Sequence, residues 1–117
     1  YDQTLEIFRK GEYAQAVSGL ADFLRRYPQS GYKPSALFWL GNAQYAVRDY
    51  KDAIASFRAL VAMAPHVRVP ESLLAIANCQ IELKDLRGAR KALEDLIKAY
   101  PASEAAAAAK ERLAKLK

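Results

Sequence analysis

The residues that could carry catalytic or metal chemistry are few and isolated. His66 is the single histidine and Cys79 the single cysteine. A metal site needs several ligands at defined spacing, and a nucleophilic cysteine needs a partner base. We therefore interpret His66 as a surface loop residue and Cys79 as a small core residue. The sequence predicts no catalytic residue, no metal ligand, no cofactor and no enzyme activity; a hydrolase or transferase is an alternative that no residue supports.

The charge of the chain is moderate and well mixed. Its 18 Lys and Arg residues against 13 Asp and Glu residues give a net charge of +5. Interspersed charges are typical of a solvated surface, although the excess mildly favours an acidic partner. The basic clusters at 25–26 and 87–91 lack interleaved aromatic residues, so we expect no nucleic-acid binding. No apolar run approaches the roughly 20 residues that span a membrane, so we expect no membrane insertion.

A repeating pattern positions the remaining residues. One alanine recurs at spacings of 37 and then 36 residues, and a small residue and a proline keep the same register: Ala16, Ala53 and Ala89; Thr4, Gly41 and Ala77; Pro28, Pro65 and Pro101. The small residues let two helix backbones approach closely, and each proline ends a helix. Each unit resembles a tetratricopeptide (TPR) repeat, a helix-turn-helix of about 34 residues.

The predicted fold is all-α, an α-α superhelix (TPR solenoid) in one domain, residues 1–117. It comprises three helix-turn-helix repeats, at about 1–28, 34–65 and 70–101, and a C-terminal capping helix, 103–116. Within the repeats we expect helices at 1–10, 13–27, 34–47, 50–63, 70–83 and 86–100. Asp49, Asp85 and Ser103 are candidate N-caps. On the capping helix, Ala107, Leu113 and Leu116 are expected to cover the last repeat.

The first helices of stacked pairs line a concave surface. Asn42 and Asn78 are equivalent positions on it, and an amide can both donate to and accept from a peptide backbone. Apolar surface around such amides suits an extended peptide or an amphipathic helix. For Leu74 a place in the core is an equal alternative. The predicted protein-binding groove consists of Tyr1, Phe8, Phe38, Asn42, Tyr45, Leu74, Asn78 and Ile81.

Three stretches carry a more particular resemblance. They are YPQSGYKPSALFWLGNAQY (27–45), PESLLAIANCQIELKDLRGARKALEDLIKAYP (70–101) and SEAAAAAKERLAKLK (103–117). Together they resemble the C-terminal TPR domain of the Tol-Pal-associated cell-division coordinator family (YbgF/CpoB), over essentially the whole chain. Two features depart from that family: the second connection reads Ala-Pro-His-Val-Arg-Val instead of Tyr-Pro-x-Ser, and Ala77 replaces a glycine.

The resemblance implies a periplasmic protein that binds TolA and links outer-membrane constriction to a peptidoglycan synthase during cell division. It also implies a longer protein, with a signal peptide and an N-terminal coiled coil that assembles it into a homotrimer. This domain alone is expected to be a monomer. The alternative is the TPR scaffold of an outer-membrane assembly lipoprotein, which shares the Tyr-Pro-x-Ser loop. Residues before Tyr1 would separate the two, because heptads indicate the coordinator and a lipobox cysteine the lipoprotein.

Overall fold

The computed structural model describes residues 12–63 and 68–116, and within these ranges every regular element is an α-helix. The predicted all-α fold is confirmed, and each of these helices begins and ends within one residue of its predicted bounds. The first predicted helix, 1–10, lies outside the described residues, as do Thr4, Pro65 and His66. The helices are α1 (Tyr13–Arg26), α2 (Lys33–Ala46), α3 (Tyr50–Ala62), α4 (Val69–Glu82), α5 (Leu86–Ala99) and α6 (Glu104–Lys115).

Each helix packs on the next one in the chain, and α4 also contacts α6. The turns from α2 to α3 and from α4 to α5 are alike. Arg48 and Lys84 both have a φ of 66°, the left-handed region that favours glycine. This conformation brings the Asp49 N–H within 2.8 Å of the Gln44 carbonyl oxygen, and an equivalent 2.8 Å bond closes the second turn. Both helices therefore end in a Schellman-type cap, which reverses the chain tightly.

The helix starts combine prolines with side-chain caps. Prolines lie in the first turns of α2 and α4, where a missing N–H costs nothing. Asp85 Oδ1 accepts from the Gly88 N–H at 3.0 Å, and Ser103 Oγ accepts from the Ala106 N–H at 3.0 Å. These two predicted caps are confirmed.

Asp49 occupies the N-cap position of α3 as predicted, but its side chain makes no capping hydrogen bond. Asp52 lies where Gly88 lies in the next repeat. A hydrogen bond with the Asp49 side chain, followed by the Asp49 charge, raises the pKa of the Asp52 carboxyl. The second repeat therefore has a second carboxyl group in the first turn of this helix, where the third repeat has a glycine.

The repeated small residues are where the helices touch. Ala16, Ala53 and Ala89 are all fully buried. A Cβ atom added to Gly41 would lie 2.6 Å from Cζ of Phe57, so α2 and α3 approach as closely as a bare backbone permits. The predicted role of the small residue is confirmed at this pair of helices.

The buried side chains form three clusters. One joins α1 to α2 around Leu20. A second joins α2, α3 and α4 around Phe57, and a third joins α4, α5 and α6 around Leu93. Helix α4 supplies Ile76 to the second cluster and Ala77 to the third. It therefore lies between these two clusters and is packed on both sides.

The capping helix α6 is rotated relative to the prediction. Ala107, expected to face inward, is exposed, whereas Ala105 and Ala109 are buried with Ala106. Leu113 and Leu116 pack against the third cluster as predicted. The buried stripe runs from 105 to 109, 113 and 116, at helical spacing, so residue 107 falls on the opposite side. Arg90 Nη2 donates to the Leu116 carbonyl oxygen at 2.7 Å and thereby ties the end of α6 to α5.

Candidate functional site

A small cavity lies where α2 and α4 face each other over a side chain of α3. Its volume is about 130 Å³, and its walls are Asn42, Tyr45, Phe57, Ala75 and Asn78. Asn42 and Tyr45 are three residues apart, as are Ala75 and Asn78, so each pair shares a helix face. The structure thus brings together three of the predicted groove residues. We call this surface the α2–α4 groove and define it by Asn42, Tyr45, Ala75 and Asn78.

The two equivalent amides in the groove are not used alike. Asn42 Nδ2 donates to the Phe38 carbonyl oxygen at 2.8 Å. Asn78 Oδ1 is buried and accepts no hydrogen bond from any described residue. Leaving a buried acceptor unsatisfied costs free energy, typically about 1–3 kcal/mol. Asn78 is therefore the residue of the pair with unused hydrogen-bonding capacity.

Tyr45 supplies a hydroxyl group to the groove. Its ring is half-buried and packs edge-on against Tyr50, with centroids 5.2 Å apart. Burial, followed by the nearby Glu82 carboxylate, raises the pKa of the Tyr45 phenol above its ordinary value of 10.0. The group therefore stays protonated at neutral pH and can donate a hydrogen bond.

Phe38, expected to be open in the groove, is instead part of the core. Only 8% of the residue is exposed. Its ring meets Phe57 edge-on with centroids 6.1 Å apart, and the Arg68 guanidinium lies 4.5 Å from its centroid. Arg68 precedes α4 and so covers Phe38 from the next repeat, a contact that the local spacing of residues does not encode. The ring thus packs against Phe57, which lines the cavity at the groove.

The other predicted groove residues are more dispersed. Leu74 is half-buried against the third cluster and also lines a cavity of about 400 Å³ between the starts of α4 and α6. Ile81 is half-buried in the last turn of α4. Tyr1 and Phe8 lie outside the described residues. Leu74 and Ile81 do not line the cavity at the α2–α4 groove, and the binding role of all four residues stays a prediction.

The described residues give little support for a reactive thiol, a metal site or a membrane-spanning helix. Cys79 is fully buried, and this burial raises the pKa of its thiol to about 12, so the reactive thiolate is disfavoured. Over 12–63 and 68–116, no three His, Cys, Asp or Glu side chains gather as metal ligands would. Among the helices that the structure describes, none has the length and apolar character to cross a bilayer.

The repeat pattern did not predict a second cleft. It has a volume of about 320 Å³ and lies between α3 and α5, with Gln80 and Ala92 among its lining residues. One signal could have revealed it: the second repeat carries Gln44 and Ser56 at the equivalent positions. The polar pair of one repeat is thus incomplete in the next.

Comparison with protein families gives a direct result. One family model described as tetratricopeptide repeat matches residues 44–113, and another with the same description matches residues 2–68. Each match covers more than half of the chain. No curated protein gives a significant match.

Solved structures support the same fold. The crystal structure of PcrH in complex with the chaperone binding region of PopD is 22% identical over 99% of this chain and 86% of that chain, with a TM-score of 0.81. The first TPR of Spaghetti (RPAP3) bound to the HSP90 peptide SRMEEVD is 17% identical over 98% and 85%, with a TM-score of 0.79.

A third structure is the second TPR domain of human RPAP3 in complex with the HSP70 peptide SGPTIEEVD. It is 16% identical over 98% of this chain and 89% of that chain, with a TM-score of 0.77. Such low identities establish a common fold and nothing finer. Taken with the two family matches, they show that this chain belongs to the tetratricopeptide repeat family.

Proposed function

We propose that this domain binds a segment of a partner protein in the α2–α4 groove. TPR domains mediate protein–protein interaction, and the family assignment supports that general role. The observation that carries the proposal is the unsatisfied Asn78 Oδ1, which lies beside its equivalent Asn42 and the protonated Tyr45. A partner backbone supplies the N–H donor that this oxygen lacks.

The size of the cavity favours a peptide over a buried small molecule. Pockets for small molecules usually measure about 300–1,000 Å³, whereas this cavity measures about 130 Å³. It accommodates one side chain of a segment lying along the groove. The terminal torsion of asparagine is soft, so Asn78 can turn its oxygen toward a peptide N–H, while Tyr45 donates to a carbonyl oxygen.

Similar structures give indirect support. PcrH, with the chaperone binding region of PopD, and the RPAP3 domains, with their HSP90 and HSP70 peptides, are each in complex with a segment of another protein. The shared fold supports a peptide-binding role for this chain by analogy only. The analogy says nothing of which sequence this groove selects.

We further propose that the partner is TolA, that the domain works in the periplasm, and that it coordinates outer-membrane constriction with septal peptidoglycan synthesis during cell division. The support is the sequence resemblance carried by the loop at 27–45, the third repeat and the alanine-rich capping helix. The intact protein is then a homotrimer through a segment preceding this domain. The net charge of +5 adds mild support for a partner segment with acidic residues.

Calorimetric titration of the domain with a TolA fragment tests the proposal. Asn78→Ala should weaken binding about five- to tenfold, because one hydrogen bond contributes about 1–1.5 kcal/mol. It should not destabilise the free domain, since Asn78 Oδ1 has no partner there among the described residues. Tyr45→Phe should weaken binding in the same way. Gln15→Ala, on the exposed face of α1, is the matched control and should leave affinity unchanged.

Two results would contradict parts of this proposal separately. Undiminished affinity of Asn78→Ala and Tyr45→Phe for TolA would move the contact away from the groove. No binding of TolA to the wild-type domain would refute the named partner. Circular dichroism of each variant confirms that the helices are retained.

A further inference from the structure

The second and third repeats differ at one buried hydrogen bond. In the second repeat, the Ser56 hydroxyl donates to Gln44 Oε1 at 2.6 Å. The equivalent residues 36 positions later are Gln80 and Ala92. Alanine has no hydroxyl, and Gln80 Oε1 accepts no hydrogen bond from any described residue, although Gln80 is only 8% exposed. The third repeat thus keeps the acceptor and lacks its donor.

Gln80 lines the cleft between α3 and α5, which we call the α3–α5 cleft. Gln80 is two residues from Asn78, so the cleft lies on the opposite side of α4 from the α2–α4 groove. Its volume is about 320 Å³, and Ala92 also lines it. The position at which the third repeat lacks a hydroxyl group therefore lies in a cleft that another molecule can enter. Its apolar surface is formed by Val61, Leu73 and Ile76.

The rim of the cleft is charged. Arg58 of α3 and the Lys91–Asp95 pair of α5 lie along it. Lys91 Nζ is 3.7 Å from Asp95 Oδ2, so those two charges largely offset each other. Arg58 is exposed and forms no ion pair with the part of the chain that the structure describes. Its charge favours an anionic group and disfavours a cationic donor at Gln80.

We propose that the α3–α5 cleft binds a segment of a partner protein in which a serine or threonine lies beside an acidic residue. The hydroxyl donates to Gln80 Oε1, as Ser56 does to Gln44 within the chain. The terminal torsion of glutamine is soft, so this oxygen can turn toward the cleft. The acidic residue pairs with Arg58, and an apolar neighbour covers Leu73 and Ile76. This site is separate from the α2–α4 groove and does not depend on its function.

A library of short random peptides displayed on phage tests the proposal. Peptides are selected on the wild-type domain and counter-selected on Ala92→Ser, which supplies an internal donor to Gln80 as Ser56 does to Gln44. The enriched peptides should share a serine or threonine next to Asp or Glu. Replacing that residue by alanine in the synthetic peptide should weaken binding about tenfold, as expected for the loss of one hydrogen bond.

Variants of the domain give the matching results. Arg58→Glu and Gln80→Met should each weaken binding of the same peptides about tenfold. Gln80→Met keeps the volume of the side chain, so it replaces Ala92→Ser as the test if Ala92→Ser does not fold. Gln15→Ala, on the exposed face of α1 and outside both sites, is the control and should leave affinity unchanged. The proposal is overturned if no peptide prefers the wild type to Ala92→Ser and Gln80→Met, or if the enriched peptides bind equally well without their hydroxyl.

Discussion

The phenyl ring of Phe57 rests directly on the backbone of Gly41, where an added Cβ atom would lie 2.6 Å from its Cζ atom. In the third repeat the equivalent residues are Ala77 and Leu93, which lie in one core cluster. A larger side chain on one helix accompanies a smaller residue on the other. The two repeats therefore use different pairs of residues at the contact between their helices.

Gly41→Ala is accordingly expected to destabilise the domain by about 1–3 kcal/mol, the usual cost of overpacking. Gly41→Ala combined with Phe57→Leu copies the third repeat and should be more stable than Gly41→Ala alone. Gly31→Ala is the control, because a Cβ atom at Gly31 meets nothing within 4 Å. Urea unfolding monitored by circular dichroism measures all three. Equal stability of Gly41→Ala and Gly31→Ala would contradict the packing argument.

Two serine-to-alanine changes should have opposite effects on stability. Ser72 is fully buried, and its hydroxyl has no hydrogen-bond partner among the described residues; the equivalent residue in the second repeat is Ala36. Ser72→Ala should therefore stabilise the domain by about 1 kcal/mol. Ser56→Ala should destabilise it by about 1–3 kcal/mol, because Gln44 Oε1 loses its donor. Denaturant titration compares them, and effects of the same sign would refute this interpretation.

The aspartates that precede α3 and α5 should respond differently to substitution. Asp85→Ala removes a capping bond to the Gly88 N–H and should cost about 1 kcal/mol. Asp49→Ala removes no capping bond, and it also relieves the repulsion between Asp49 and Asp52. Thermal unfolding at neutral pH should show a clearly lower midpoint for Asp85→Ala alone. A comparable loss for both variants would mean that Asp49 caps its helix in solution.

Cys79 should make stability depend on alkaline pH. Burial raises the pKa of its thiol from 9.0 to about 12. Below pH 9 both states hold the proton; between pH 9 and 12 the unfolded chain loses it while the folded chain keeps it, so stability falls as pH rises. The free energy of unfolding should fall more steeply for the wild type than for Cys79→Ala, by about 1 kcal/mol per pH unit. Parallel profiles from urea titrations at pH 8 to 11 would contradict this expectation.

Much of the fold could be predicted because its determinants are local and repeated. A proline marks the start of α2 and of α4, and the alanine register places the crossing points of the helices. The equivalence of Asn42 and Asn78 likewise follows from the register, and both residues do line one cavity. Periodicity was sufficient to predict which residues are buried wherever a helix face packs against a single neighbouring helix.

The errors arose where a second neighbour decides the outcome. Phe38 is buried because Arg68 of the next repeat covers its ring. Asp49 makes no capping bond, and the second repeat has the carboxyl group of Asp52 in the first turn where the third repeat has Gly88. The inward face of α6 depends on where the helix docks, and alanines on every side gave no apolar stripe to orient it. To predict the α3–α5 cleft, the hydrogen-bond partners of equivalent residues in successive repeats have to be compared. The pattern of apolar positions does not contain this information.

The position of α4 between two cores has a consequence for how the domain opens. Its two faces belong to separate clusters of buried side chains, so α5 and α6 can detach without disturbing the packing of α2, α3 and α4. Native-state hydrogen exchange would then resolve two cooperative units, with the amides of α5 and α6 exchanging through a subglobal opening. Occupancy of the α3–α5 cleft would join these units, and the exchange of α5 would slow on binding.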